Sequence, residues 1–289
     1  METYLDCFPC FLRQALEASR MATENIGIQR KVLDSVMERL SNLSLDITPP
    51  EIAIEVHGLV KEITGNPDPY KDIKKIHNQI MLNLYPVIKN VVTQSDDRLL
   101  SAVKMAIEGN AIDLGVQNQV SDIEKWVNNG FSSKLAIDNY DEFKEKLAHS
   151  NLIVYLGDNT GEVVFDKILV EEIKMLKGLE ITFVVRGSPI INDVTVEDAD
   201  FVGMKELATV VSNGSSAPGT ILSQCSPEIL DLFSAADMII AKGQGNYESL
   251  SEEDKIFFLL KVKCPVVARE LGVDVGDTIL KSNSRGNSS

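Results

Sequence analysis

The run NLIVYLGDNTGEVVFD, Asn151 to Asp166, decides how this chain is read. Leu152-Ile153-Val154-Tyr155-Leu156 is a short apolar run with β-branched residues. Gly157 to Glu162 is a polar turn, and a helical pattern follows it. Strand, tight loop and helix in that order place the loop at the carboxyl end of the strand, where open parallel sheets hold their ligands. Asp158 and Asn159 offer hard oxygen atoms there, and Gly157 and Gly161 let backbone come close at the positive end of a helix. Together they suit a divalent cation and an anionic group such as phosphate.

Outward from that stretch, strand and helix patterns alternate. Further strands are expected at 181–185, 209–212, 237–241 and 264–268, with a helix over 162–177 whose apolar positions are Val163, Val164, Ile168, Leu169, Ile173 and Leu176. Such alternation argues for a mainly parallel α/β sheet with crossovers. The strand ends then gather Asp158-Asn159, Arg186-Gly187, Asn213-Gly214, Lys242-Gly243 and Arg269-Glu270 on one edge of the sheet. A shared site explains that gathering better than five separate solvated loops.

Asp193, in the loop after the second strand, can add a third oxygen to Asp158 and Asn159. An all-oxygen set completed by water and substrate fits Mg²⁺ or Mn²⁺ better than zinc. Helix capping competes for the same residues: Asn159 with Glu162, and Thr195 with Asp198, each have capping-box spacing. In Lys242-Gly243-Gln244-Gly245-Asn246 the glycines let backbone N–H groups face a phosphate and Lys242 supplies a point charge.

Residues 1–95 carry almost no strand signal and read as a helical domain. Thr48-Pro49-Pro50-Glu51 is a helix start, Gly65 to Pro69 a stop, and Pro86 is expected to kink or interrupt a helix over Tyr70 to Val91. Residues 96–280 form the α/β/α domain, and 281–289 are expected to be a disordered tail. A helix over 96–115 is broken at Gly109-Asn110. Asn110 and Asp113 share a helix face, and by pattern alone they are solvated polar groups at a kink.

The 289 residues are 44% apolar and 25% charged, the composition of a soluble globular protein, and the formal charge of −15 repels nucleic acid and anionic membranes. No apolar run is long enough to span a bilayer and METYLDCFPC lacks the basic start of a secretory signal, so a cytoplasmic protein is expected. Four cysteines make no disulfide framework for a chain of this size. Cys7-Phe8-Pro9-Cys10 is open to three readings: half a zinc site, a redox pair, or two small half-buried residues at a helix start. His57, His77 and His149 have no ligand spacing.

Five motifs in order, Asp6-Cys7-Phe8-Pro9-Cys10, Gly109-Asn110-x-x-Asp113-Leu114, Gly157-Asp158-Asn159-x-Gly161-Glu162, Arg186-Gly187-x-Pro189-Ile190-x-Asn192-Asp193-x-Thr195-x-x-Asp198-Ala199 and Lys242-Gly243-x-Gly245-Asn246-Tyr247-Glu248, resemble the DUF89 family of metal-dependent damage-control phosphatases. The resemblance is closest to its short prokaryotic branch with the N-terminal C-x-x-C, and it runs from residue 1 to about 280. It implies a helical domain on a three-layer, Rossmann-like α/β/α domain. It also implies a divalent cation (Mg, Mn, Co or Ni) held by Asp158, Asn159 and Asp193, the catalytic set. Phosphate and substrate would then meet Thr160, Gly161, Glu162, Arg186, Lys242, Gly243, Gln244, Gly245 and Asn246, with Asn110 and Asp113 lining the site. The implied activity is hydrolysis of small phosphorylated metabolites, sugar phosphates or damaged forms of them. The competing functions are an S-adenosylmethionine-dependent carboxyl methyltransferase and a non-enzymatic metal- or metabolite-binding regulator. The methyltransferase wants an acidic residue at the end of the second strand, where this chain has Arg186.

Overall fold

Five helices lead the chain: α1 (Cys7–Ala22), α2 (Ile26–Leu40), α3 (Pro49–Thr64), α4 (Lys71–Gln94) and α5 (Arg98–Glu108). The computed structural model describes residues 1–109, 134–176 and 178–283. α3 begins as its sequence dictates: the Thr48 N–H and hydroxyl both donate to the Glu51 carboxylate, at 2.7 and 2.8 Å, and the prolines occupy the first turn. Gly65, at φ 71°, closes it in the left-handed conformation. Pro86 does not interrupt α4. The helix runs on to Gln94 because Met81, Ile88 and Val92 are buried along one side of it, and that packing outweighs one lost backbone bond.

The remaining elements are β1 (Leu135–Asp138), α6 (Tyr140–His149), β2 (Leu152–Leu156), α7 (Glu162–Leu176), β3 (Glu180–Val185), α8 (Val196–Phe201), β4 (Thr209–Ser212), α9 (Pro227–Ala235), β5 (Met238–Lys242), α10 (Gly243–Leu250), β6 (Ile256–Lys261), α11 (Pro265–Leu271) and β7 (Thr278–Ser282). The seven strands form one sheet in the order β1-β7-β6-β5-β2-β3-β4, parallel throughout except between β6 and β7. β2 and β4 fall on the residues the pattern predicts, and β3 and β5 within one residue of it.

The expected strand at 264–268 is overturned. Pro265 has no N–H for a ladder and instead opens α11, with the Cys264 sulfur capping it by accepting from the Val267 N–H at 3.5 Å. Arg269 and Glu270 therefore lie on a helix and belong to no strand end. The strand is Ile256-Phe-Phe-Leu-Leu-Lys261, a short apolar run that periodicity alone does not separate from a helix.

Alternate residues of the strands feed two cores. Ile153, Tyr155, Phe183, Ile240 and Leu259 pack with α4 to α8, whereas Val154, Leu156, Val184, Ile239 and Phe258 pack with α9, α10 and α11. α1, α2 and α3 keep a third core of their own around Phe11, Val36, Ile52 and Val56, and α3 packs against α10.

His57 sits in that third core. It is 3% exposed, its ring lies edge-on to Tyr70 at 6.5 Å, and Nε2 is 3.4 Å from Gln14 Oε1. Burial, helped by the Lys61 charge, pushes its pKa down to about 4. Between about 6.5 and 4 the unfolded chain binds a proton that the folded chain refuses, so stability falls as pH drops through that window and levels off below it, a loss of about 3 kcal/mol. His57→Gln should flatten this part of the acid-unfolding curve, measured by urea titration from pH 7 to pH 4. An unchanged slope would show that His57 is not the group responsible.

Candidate active site

β2 and β5 are parallel neighbours, yet from β2 the chain goes to β3 on one side and reaches β5 on the other. The crevice of the sheet opens between their carboxyl ends, where strand order reverses. Gly157 to Gly161 leaves β2 on one side and α10 starts at Gly243 on the other. The approach is so close that a Cβ on Gly243, whose φ is 78°, would stand 1.9 Å from Asp158 Oδ2. A Cβ on Gly245 would stand 2.0 Å from the Pro218 carbonyl oxygen. Asn246 clips the two strand ends together: its amide donates to the Lys242 carbonyl at 2.7 Å and the Gly157 carbonyl at 3.2 Å, and its Oδ1 accepts from Thr220 at 2.8 Å.

The loop after β3 lies against the loop after β2. Val194 N–H donates to the Asp158 carbonyl at 2.8 Å, and the Thr160 N–H and hydroxyl donate to the Asn192 carbonyl at 2.9 and 3.0 Å. Asn159 and Asp193 pair as an isolated antiparallel bridge. These bonds bring together Asp158, Asn159 and Asp193. Arg186, 1% exposed, lies between the acids: Nε donates to Asp193 Oδ2 at 2.7 Å and Nη1 to the Thr220 hydroxyl at 3.4 Å. Its Nη2 is 3.6 Å from Asp158 Oδ1, too far for a hydrogen bond, and is buried without an acceptor. Of the two capping pairs, Thr195 and Asp198 form their box, at 3.0 and 2.7 Å. Asn159 instead turns its amide N–H₂ to Asp158 Oδ2 at 2.6 Å, with Glu162 Oε2 at 3.4 Å.

Lys242 lies beneath this cradle, fully buried. Its Nζ donates to Asp166 Oδ1 at 2.6 Å, to the Ala106 carbonyl at 2.8 Å and to Glu162 Oε1, so all three of its N–H groups are taken. Tyr155 O–H donates to the same Asp166 oxygen at 2.7 Å. Burial pushes both Glu162 and Asp166 upward against the pull of Lys242. Burial alone would lower Lys242, but Asp166 and Glu162 outweigh it and hold it protonated. Gln244 points away from the cradle, donating to Glu248 at 2.8 Å and accepting from the Lys263 N–H at 3.2 Å. Asn110 and Asp113 lie outside the described residues.

Sequence reasoning missed several members. Asp166 carried one signal, a charge in the apolar run Val-Val-Phe-Asp-Lys-Ile-Leu four residues after Glu162, hence on the same helix face. Asn78 carried none. From α4, its Oδ1 accepts from the Gly161 N–H at 2.7 Å and its amide donates to Asp198 at 3.4 Å. Lys74 also reaches Asp198, at 3.4 Å. Through these residues one helix braces both loops of the cradle.

A cleft of about 380 Å³ opens on Asp158, Asn159 and Asp193, with Cys7, Phe11, Pro50, Gln244 and Cys264 along its other walls. Among the described residues no three His, Cys, Asp or Glu side chains converge on one point, so a cation here would need the Asn159 amide oxygen beside the two carboxylates. That donor set suits a hard divalent ion. Burial pushes Asp193 upward, Arg186 pulls it back and the Asp158 charge adds to the push, a strain that a cation between the two acids would relieve.

The family model of the damage-control phosphatase ARMT1-like domain matches residues 3–279. The chain belongs to that family. A damage-control phosphatase of Pyrococcus horikoshii is 37% identical, covering 98% of this chain and 99% of that protein. One from Archaeoglobus fulgidus is 35% identical over 95% of this chain and 97% of its own. The crystal structure of a DUF89 family protein from P. horikoshii superimposes with a TM-score of 0.93, at 35% identity, covering 98% of this chain and all of that one. The resemblance read from the five motifs, the α/β class and the expectation of a phosphatase family are borne out. Among the described residues no helix is long and apolar enough to cross a membrane.

Two substitutions test the cradle. Gly243→Ala should push the Asp158 carboxylate aside and weaken Mn²⁺ binding about 10-fold or more, read by calorimetry. Wild-type affinity would mean that Asp158 does not face the ion. Asn78→Leu leaves the Gly161 N–H unpaired and should cost about 1–3 kcal/mol in urea unfolding. A loss below about 0.5 kcal/mol, the scale of a surface change, would show that the brace carries no strain.

Proposed function

We propose that the chain is a metal-dependent phosphomonoester hydrolase acting on small phosphorylated metabolites. The observation that carries this reading is the convergence of buried Asp158 and Asp193 with half-buried Asn159 at the strand-order reversal, next to a guanidinium with an unused donor. Asp158, Asn159 and Asp193 would hold a divalent cation (Mg, Mn, Co or Ni), which when bound would supply positive charge opposite the phosphoryl oxygens as negative charge builds on them.

The protein's own groups do the rest. Arg186 Nη2, buried and without an acceptor, donates to a phosphoryl oxygen and orients the ester. The first N–H groups of α10, from Gly243 to Asn246, add donors at the positive end of a helix. Lys242 contributes from below by holding Glu162 and Asp166 in a fixed place under the cradle. A phosphate that met Lys242 directly would take the place of one of those acceptors. Asp158 lies between the free Nη2 of Arg186, 3.6 Å away, and the α10 start, which makes it the residue to position the attacking oxygen.

The methyltransferase alternative fits less well, since Arg186 at the end of β3 is engaged by Asp193. Phosphate release from an aryl phosphate and a panel of sugar phosphates, with EDTA or with Mg²⁺, Mn²⁺, Co²⁺ or Ni²⁺, tests the proposal. Turnover should require the metal, and Asp158→Ala should lower kcat at least about 10³-fold. Metal-dependent turnover surviving in that variant would overturn the assignment.

A further inference from the structure

The phosphatase reading gives no role to the C-x-x-C sequence. Cys7 and Cys10 are free thiols, partly exposed, and both line the cleft above Asp158 and Asp193, as does Cys264. Cys7 is the first residue of α1 and Cys10 lies three residues on, so both point along one face of its first turn. The zinc reading is not supported, because among the described residues the thiols do not gather with a third ligand around one point.

We infer that Cys7 and Cys10 are a thiol-modification site, closed to a disulfide by a low-molecular-weight disulfide, and that closure narrows the substrate cleft. The Cys10 thiolate attacks one sulfur of the small disulfide, whose S–S bond breaks and releases one small thiol. The Cys7 thiolate then attacks the Cys10 sulfur and expels the second. Two protein thiols are oxidised, one small disulfide is reduced to two thiols, and the two protein protons leave with them. Cys10 attacks first because its sulfur is held at the cleft wall by contacts from Gln14 Nε2 at 3.3 Å and Arg13 Nη2 at 3.7 Å. Burial, with Glu248, Cys264 and Cys10 adding to it, pushes Cys7 upward and suits it to the second step.

Closure has a geometric consequence. Helical neighbours three apart have Cβ atoms about 5–6 Å apart. A disulfide wants about 3.8 Å. The first turn of α1 must therefore contract. Asp6 makes no side-chain cap and Pro9 has no N–H, so the turn is held by the Cys7 and Phe8 N–H groups. These donate to the Tyr4 and Leu5 carbonyls three residues back at 2.9 and 3.2 Å, the tight spacing a contracted turn keeps. Phe11 and Gln14, one turn further along the same helix, line the cleft and move with it. The strain makes the bond easy to reduce again.

The effect on turnover rests on the proposed phosphatase activity; the modification does not. Reduced protein is treated with glutathione disulfide, mapped by peptide mass spectrometry, assayed with aryl phosphate and Mn²⁺, and timed for N-ethylmaleimide labelling of Cys264. The expected result is a Cys7–Cys10 link with KM rising about threefold or more while kcat changes less than about twofold. In the wild type Cys264 labelling should slow and dithiothreitol should reverse every change. Cys10→Ser should be insensitive, Cys7→Ser should stop at a Cys10 mixed disulfide with no link, and Cys264→Ser should still form the Cys7–Cys10 link. Links to Cys264, mixed adducts alone, or a Cys7–Cys10 link with unchanged Cys264 labelling would overturn the inference. If reduced protein releases no phosphate with any metal, the hydrolase reading fails, and the link together with the labelling rate still decides the fate of this site.

Discussion

Four carboxylates, Asp158, Glu162, Asp166 and Asp193, share one buried cluster with two cations, Arg186 and Lys242. Taking charge out of water costs several kcal/mol per ion even after relaxation, and an unbalanced cluster costs more than a neutral one. The surrounding fold meets that cost with geometry. The loops after β2 and β3 are tied to each other by backbone bonds, Val194 to Asp158 and Thr160 to Asn192, and the Gly161 N–H donates to the Asn78 side chain on α4. The acids cannot swing out to water without breaking several of these at once.

The same constraint explains the glycines. Gly243 and Gly245 stand where any side chain would collide with Asp158 or Pro218, and Gly187 stands where a Cβ would be 2.5 Å from the Gly214 carbonyl carbon. Close approach of one strand end to the next is the condition for concentrating the charges, and only backbone without a Cβ permits it. α4 completes the enclosure from the other side. The Lys74–Asp198–Asn78 network is itself buried, so the brace consists of polar groups that bind one another and the loops.

What sequence could show of this follows the range of each interaction. β2 and β4 were legible because strand and turn chemistry are local, and Thr48 and Thr195 announced their caps with an acid three residues later. Asp158, Asn159 and Lys242 were legible as polar residues at strand ends. The strand expected at Cys264 failed because Val266 and Val267 look like a strand while Pro265 fixes a helix start, and Ile256–Lys261 was passed over for lack of a period. The environment of Lys242 was hidden for another reason. Its position at a strand end suggested an open phosphate ligand, while its burial depends on Glu162, Asp166 and Ala106, up to 136 residues away in the chain. Asn78 had no local mark at all, since its partners are a backbone N–H in one loop and a carboxylate beyond another.

Motifs at residues 158, 193 and 243 meet only because β3, β2 and β5 are consecutive in the sheet and point the same way. The chain visits β2, β3 and β5 in sequence but lays β5 on the far side of β2, and that reversal turns three separate strand ends into one crevice. The chemistry-bearing wall is thus fixed by sheet topology and cannot drift without unpicking β2 from its neighbours. The opposite wall comes from α1 and α3, whose own core of Phe11, Val36 and Ile52 is separate from the two cores of the sheet. The cleft thus joins one wall locked in a sheet to another carried on a helical core with its own packing, tied to the sheet domain by α3 against α10, by Lys61 on the Pro189 carbonyl and by Arg269 on Asp6.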